Sequence, residues 1–544
     1  MAAEQYLFVG ILVIGAGLAK FAEEYRFPYP IPLVISGIVL AQVFPQQGFV
    51  EAIGIEFIAQ LTLAAVLFYA GLTLNIKDLR LSIWSVLLLA TLGVLLTSVI
   101  AGLTIGVILG TGIAGIAATA YLIGAILSPT DPAALFSVLE TGGVRVKRKL
   151  FSILEGEAVF NDATSVVLVL TVFEPLVVPA LAQEFGFVVL EFALSMGLGV
   201  LIGYIVAYGI GWLLHITGED TNIAILTAAT PILAYGIGEA ISLFLEGVHL
   251  PGVHPGALAC VFTGLFMANA KRIGLEILPQ KSMRGVMKNV SFAFEIVIFI
   301  LLGFTLDTAF LLSSPGTVIS GIIVALLVIF VARPASVFLV TSPDRSMGVR
   351  DRFFLSWAGV KGVASAALAA IAVSVITKYQ VDYYVLLGNQ INSIIFIVLM
   401  ISLILQGLTT PYLVTKLGLE EEADLAEEIT AHRNATRHAL LQIVDLYTEG
   451  KIPQDLYLRL KAELEEEIFT LEDELRKLVS DKRAREQELE VREMVLSYKL
   501  DYLHTEYEGG RLSDVAYDEE KSDLEAEIED IMMRLKLTRE GKQA

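Results

Sequence analysis

Residues 155–167 read EGEAVFNDATSVV, inside the longer apolar run FSILEGEAVFNDATSVVLVLTVF. Three carboxylates, Glu155, Glu157 and Asp162, fall within this short stretch. An ionisable side chain in hydrocarbon is costly unless paired or hydrated, so each is a functional candidate by default. A helix beginning near Lys149 places Asp162 roughly 18 Å along its axis, near the middle of a ~30 Å hydrocarbon core. Glu155, seven residues earlier, shares the face of Asp162. It either lines an entrance or is a partly solvated charge at the helix end. Glu157 points from another face and calls for a different partner. A buried carboxylate such as Asp162 holds a proton or a small hard cation, not both, so pH sets which one binds.

A second constellation is ILSPTDPAALF, residues 126–136. Pro132 removes a backbone donor and crowds the preceding turn. The residue before a proline leans away from the helical region. A spanning helix is therefore expected to unwind at Thr130–Asp131. Carbonyls freed inside a membrane must face protein, water or an ion, and interrupted helices of this kind build midplane ion sites in transporters. A plain proline kink is the alternative, and the adjacent Asp131 favours a site. Two intramembrane cations, Arg333 in LVIFVARPASVF and Lys361 in WAGVKGVASAAL, must pair, meet helix-terminal carbonyls or reach the interface. Glu295 joins them as a further intramembrane charge. Glu191, Glu239 and Asp307 are expected near helix ends, where the cost of charge falls.

The elements that must position these residues follow from composition. The chain has 544 residues, 55% of them hydrophobic, with mean hydropathy +0.71. Many runs approach or exceed the ~20 residues that cross a bilayer. The fold class is all-α and polytopic, with about thirteen transmembrane helices. Among the expected spans are 112–139, 150–180, 286–311, 316–341, 352–377 and 384–415. Residues 6–20 read as a retained first helix and not as a signal peptide. Basic residues cluster in alternate loops, around Lys20, Lys77, Lys147, Arg284 and Arg350. By the positive-inside rule those loops are cytoplasmic, the N-terminus is outside and the C-terminus inside.

The net charge of −20 is unevenly placed. Residues 418–544 carry 18 Lys/Arg against 34 Asp/Glu, and residues 1–417 carry 20 against 24. The chain thus reads as a membrane domain, 1–417, and an acidic cytoplasmic helical domain, 418–544. The tail repeats at an offset of sixty: GKIPQDLYLRLKAELEEEI (450–468) aligns with GRLSDVAYDEEKSDLEAEI (510–528). Each copy, about 437–478 and 497–537, reads as helix, glycine turn and longer helix. Leu456, Leu460, Leu464, Ile468, Leu471, Leu475 and Leu478 form one apolar stripe. The tail charges read as a solvated face in preference to a cation sensor. Neither part suggests nucleic-acid binding. The single cysteine, Cys260, rules out an intrachain disulfide. No phosphate-binding loop, zinc-protease helix, dinucleotide fingerprint or nucleophile elbow appears. The chain reads as an ion-gradient transporter with no cofactor, not as an enzyme.

FNDATSVV together with SPTDPAA resembles the monovalent cation/proton antiporters of the NhaP/NHE type, the sodium/proton exchangers. The resemblance spans about residues 5–415, and FEIVIFILLGFTLD (294–307), the Arg-Pro at 333–334 and WAGVKG also match. It implies thirteen helices with inverted repeats and crossed discontinuous helices, a homodimer, and a six-helix core that moves like an elevator. It implies that Asp162 binds cation or proton, with Thr130, Asp131 and Asn161 beside it, and that Glu157 pairs with Arg333. Asn161 goes with electroneutral exchange in such relatives. The chain departs from the pattern at Ala158, where the family often has Ser, at Thr73 and Asn75, where it has Glu and Asp, and at Lys361, where it has Arg. Sodium is the default cargo, lithium is compatible, and the less anionic site makes potassium a credible alternative. The rivals are an anion or organic-acid transporter on the same scaffold, and a channel or sensor reporting to the tail. The tail itself reads as regulatory or dimer-stabilising, with no ligand indicated.

Overall fold

The computed structural model describes residues 2–25, 27–44, 54–80, 82–108, 117–131, 136, 139, 144, 146–173, 185–217, 220–248, 250, 252–270, 280–378, 382–420, 425–478, 481–509 and 511–540. Among these the chain is helical. No strand forms, and one isolated antiparallel bridge joins Val146 to Glu420. Two compact units result, Met1–Glu421 and Glu422–Ala544.

The first unit runs α1 (Ala2–Glu24), α2 (Pro30–Val43), α3 (Ile55–Thr73), α4 (83–108), α5 (Ala117–Ile126), α6 (148–173) and α7 (Phe185–Thr217). It continues with α8 (Asp220–Glu246), α9 (Gly256–Ala268), α10 (Gln280–Phe304), α11 (Pro315–Val340), α12 (Val349–Trp357), α13 (Val363–Lys378) and α14 (382–417). Helices suit this composition because a backbone in hydrocarbon must satisfy its own N–H and C=O groups. Against about thirteen expected spans, seven helices among the described residues are long and apolar enough to cross a membrane, with shorter apolar helices beside them.

Two of the expected spans are interrupted. The expected helix 112–139 is interrupted after Ile126, and residues 127–131, Thr130 and Asp131 among them, are not helical. Pro132, the expected cause, lies outside the described residues. The expected helix 352–377 is in fact two helices, α12 and α13, separated by Ala358–Gly362. Lys361 therefore stands in a break and not early in a continuous helix. Gly359 and Gly362 carry no side chain to hold a helical turn, but no proline marks the place.

Among the described residues four helices contain a π turn, at Leu89–Gly93, Leu168–Phe173, Val328–Ala332 and Leu403–Gly407. Such turns release carbonyls that need other donors. Ser336 of α11 donates to the Gly93 carbonyl of α4 at 2.8 Å. Glycine permits close helix contact elsewhere. Gly37 of α2 faces the Ile300 carbonyl of α10, and Gly303 faces the Val34 carbonyl. A methyl group at either would enter the neighbouring backbone, in keeping with the small residues that pack membrane helices.

The second unit holds α15 (Leu425–Thr448), α16 (Gln454–Leu478), α17 (Asp481–Glu508) and α18 (Asp514–Glu540). They pair as two hairpins, α15 with α16 and α17 with α18. The first turn passes through Gly450 in the left-handed region, φ +69°, where glycine has no Cβ penalty. Within each hairpin the two helices are nearly equal in length, 24 and 25 residues, then 28 and 27. The second is thus not clearly the longer. The repeat sets a matched tyrosine stack in each: Tyr447 on Tyr457 at 4.4 Å and Tyr507 on Tyr517 at 4.1 Å.

Candidate cation site

The two interruptions meet. The Asp131 N–H donates to the Val360 carbonyl at 2.7 Å. The Asp131 carboxylate accepts from the Val363 N–H, at the start of α13, at 3.3 Å. In return the Lys361 ammonium donates to the Pro129 carbonyl at 3.1 Å and the Ser128 carbonyl at 3.4 Å, just past the end of α5. An anion thus sits at the N-terminal end of one half-helix and a cation at the C-terminal end of the other. Each sign opposes the partial charge of the helix terminus it meets. Gly362 is required here, because a Cβ would collide with the Asp131 carboxylate.

The break between α12 and α13 is held from α14. The Lys361 N–H donates to Ser402 Oγ at 3.0 Å, Ser402 donates to Gln406 at 2.5 Å, and Gln406 donates to the Trp357 carbonyl at 2.7 Å. Ser402 and Gln406 are fully buried. Sequence reasoning missed both because, outside the family motifs, it weighed only ionisable residues. Gln406, a lone amide in the apolar run IVLMISLILQGL, was the available signal.

Helix α6 passes beside the place where the two breaks meet. Asn161 donates to Thr130 Oγ1 at 2.8 Å, and Ser165 shares a hydrogen bond with Ser128 at 2.9 Å. Asn161 is fully buried and Asp162 half-buried. Asn161 Oδ1 and Asp162 Oδ1 are shut away from solvent with no hydrogen-bond partner among the described residues. The charges of Asp131, Lys361 and Glu157 all act on Asp162. The oxygens of Thr130, Asp131, Asn161 and Asp162 are hard donors suited to a proton or an alkali cation. Among the described residues no three of His, Cys, Asp and Glu converge as a divalent or transition-metal site would.

Glu157, five residues before Asp162, points elsewhere. It meets Arg333 at 2.5 Å, with side-chain exposures of 0% and 3%. Arg333 follows the π turn of α11 and also reaches the Leu355 carbonyl near the end of α12 at 3.5 Å. Ala158 is buried without an oxygen to offer. Thr73 spends its hydroxyl on the Ala70 carbonyl of its own helix, at 2.9 Å. Glu155 is half-buried. Glu295 accepts from the Tyr29 hydroxyl at 2.6 Å, and the charge of Asp131 acts on it.

The residues expected at helix ends divide. Asp307 caps a one-turn helix through the Phe310 N–H at 2.9 Å. Glu239 lies inside α8, half-buried. Glu191, expected near a helix end where charge costs less, lies early in α7 but is fully buried and accepts the Gly252 N–H at 3.0 Å. Its nearness to the helix start concealed that another segment covers it. Beyond the bilayer region, Asp344 accepts from Ser85 at 2.9 Å and from the Ser346 N–H at 2.9 Å, and faces Lys149 at the start of α6 at 3.6 Å. Partial burial raises the Asp344 carboxyl, but the Ser346 and Ser85 hydrogen bonds and the Lys149 charge outweigh it and hold the group below its ordinary range.

Residues 9–416 match the family described as sodium/hydrogen exchanger, transmembrane. The chain belongs to that family. It is therefore a membrane cation/proton antiporter by family, a secondary transporter and not an enzyme. Two curated relatives illustrate the range. The K(+)/H(+) antiporter NhaP2 of Shewanella oneidensis is 28% identical over 419 residues, 76% of this chain and 67% of the relative. The Na(+)/H(+) antiporter ApNhaP of Aphanothece halophytica is 27% identical over 475 residues, 84% of this chain and 82% of the relative. The solved structure of the sodium proton antiporter MjNhaP1 from Methanocaldococcus jannaschii superposes with TM-score 0.66 at 24% identity, covering 76% of this chain and 99% of that one. At that identity the likeness speaks for the exchanger's fold alone.

Proposed function

We propose that the exchanger swaps a monovalent cation for protons at Asp162. The observation that carries this reading is the pair of buried, unpartnered oxygens, Asp162 Oδ1 and Asn161 Oδ1, beside the crossing that holds Thr130 and Asp131. A buried carboxylate without a cationic partner is costly as a bare anion and becomes neutral when a proton or a cation joins it. Both loaded states favour passage of the site across the membrane, and the empty anionic state resists it. Competition at one carboxylate then couples the two fluxes as exchange, not leak.

On this reading Thr130, Asp131 and Asn161 complete the ligand set. Glu157 and Arg333 neutralise one another and keep α6 seated against α11. Asn161, in place of a second carboxylate, fits electroneutral exchange. The crossing moves as part of an elevator-type core within a homodimer, with the N-terminus outside and the tail cytoplasmic. Sodium is the first candidate cargo. Potassium has specific support: Ala158 supplies no oxygen, Thr73 is engaged with its own helix, and relatives carry both names. The tail, residues 418–544, regulates the exchanger or stabilises its dimer.

The test is proton flux driven by sodium, lithium or potassium in proteoliposomes. Asp162→Asn is expected to abolish exchange with all three while the protein remains folded. Near-wild-type flux in that variant defeats the proposal. The order of the three cations in the wild type decides the cargo.

A further inference from the structure

The two tail hairpins are built alike and differ on one face. In α17, Val491, Met494, Val495, Tyr498 and Tyr502 are between 49% and 68% exposed. Val491, Val495, Tyr498 and Tyr502 are spaced four, three and four apart, the interval that keeps residues on one seam of a straight helix. Sixty residues earlier, α15 presents the same exposure pattern around its buried Thr436, which matches Leu496 of α17. There the corresponding residues are Ala431, Asn434, Ala435, His438 and Gln442. The hairpin fold therefore does not need an apolar face at these positions. α15 folds against α16 without one, with the same tyrosine stack.

We propose that this face of α17 is an interface with α17 of a second copy of the chain, paired in parallel. The proposal rests on the homodimer in the reading above and adds where the tails touch. A seam of this spacing on one helix is self-complementary, so two copies bury it symmetrically. The flanking charges choose the direction. Arg492 and Lys499 occupy one shoulder of the seam, and Met494 and Asp501 the other. Antiparallel pairing sets each shoulder against its own copy and brings Arg492 towards Lys499 of the other chain. Parallel pairing sets the cationic shoulder against the Met494–Asp501 shoulder and avoids that repulsion. A lipid surface fits less well, because α17 carries more acidic than basic residues, and helices that lie on membranes carry basic flanks.

The chain offers a clean test, because Cys260 is its only cysteine and is buried. In a Cys260→Ser background, Val495→Cys and Tyr498→Cys are introduced singly into the full-length protein in membranes and oxidised with copper phenanthroline. In parallel pairing each position meets its own copy, so most of each variant is expected to shift to a disulfide-linked dimer band. Asn434→Cys, at the matching exposed place in the first hairpin, is expected to stay monomeric on the gel. The inference is overturned if neither α17 variant cross-links beyond Asn434→Cys, whether or not a water-soluble maleimide reaches the cysteine. Reactive but uncrosslinked cysteines mean an open face, and unreactive ones mean another occupant. Light scattering of the same samples separates the two proposals. A dimer without the α17 cross-link defeats only this one, whereas a monomer defeats the homodimer as well.

Discussion

Glu157–Arg333 and Glu472–Arg437 are the same kind of ion pair at nearly the same distance, 2.5 Å and 2.7 Å. Their surroundings are opposite. The first lies inside the membrane unit at 0% and 3% side-chain exposure. The second bridges the first tail hairpin at 43% and 55%. Contact geometry therefore does not rank them. In the membrane unit, losing either partner leaves a charge with no water to solvate it. In the tail, water replaces the partner at almost no cost. The same contrast separates Asp162 from Glu157 on one helix: two carboxylates five residues apart, one paired with Arg333 and the other with a buried oxygen that no hydrogen bond satisfies among the described residues.

The contrast can be broken at several points. Arg333→Ala strands Glu157 and is expected to cost about 3–5 kcal/mol, read as loss of monodisperse protein or a lower unfolding temperature in detergent. Replacing both partners, Glu157→Leu with Arg333→Met, is expected to recover most of that loss. A double variant no better than Arg333→Ala would mean that the pair does more than neutralise itself. Gln406→Leu leaves Ser402 and the Trp357 carbonyl short of a partner, at about 1–3 kcal/mol. Gly362→Ala forces the Asp131 carboxylate aside, at about 1–3 kcal/mol. Its sharper effect is expected on exchange, because Asp131 can no longer cap α13. Wild-type flux in Gly362→Ala would uncouple the cap from transport. Arg437→Ala should cost about 0–1 kcal/mol, and less still in high salt. A loss as large as that of Arg333→Ala would show that the tail pair is shielded from solvent in the working protein.

What was legible in the sequence follows from local rules. Charges in apolar runs singled out Asp162, Asp131, Glu157, Arg333 and Lys361, because hydrocarbon tolerates them only for a reason. Thr130-Asp131-Pro132 announced a break, since proline and the residue before it resist the helix. The sixty-residue repeat announced two like hairpins. The break at Ala358–Gly362 was not legible, because nothing within GVKG forbids a helix. Its alternative hydrogen bonds come from Asp131, more than two hundred residues away in the chain, and from Ser402 and Gln406. Glu191 misled for a related reason: position along a helix does not show what packs over its end.

The sequence by itself thus determined the membrane class, the family, the interrupted helix before α6 and the identity of the charges that demand explanation. Those conclusions need only the cost of charge in hydrocarbon and the stereochemistry of neighbouring residues. Tertiary structure decided which charge answers which. The Glu157–Arg333 pair was already implied by the family resemblance, but only the fold set Lys361 against the carbonyls after α5 and Asp131 against the start of α13. Asp162 Oδ1 was left buried with no hydrogen-bond partner among the described residues. Pairing is a matter of approach between distant segments. A buried charge states that it must have a partner, and only the folded chain says where that partner is.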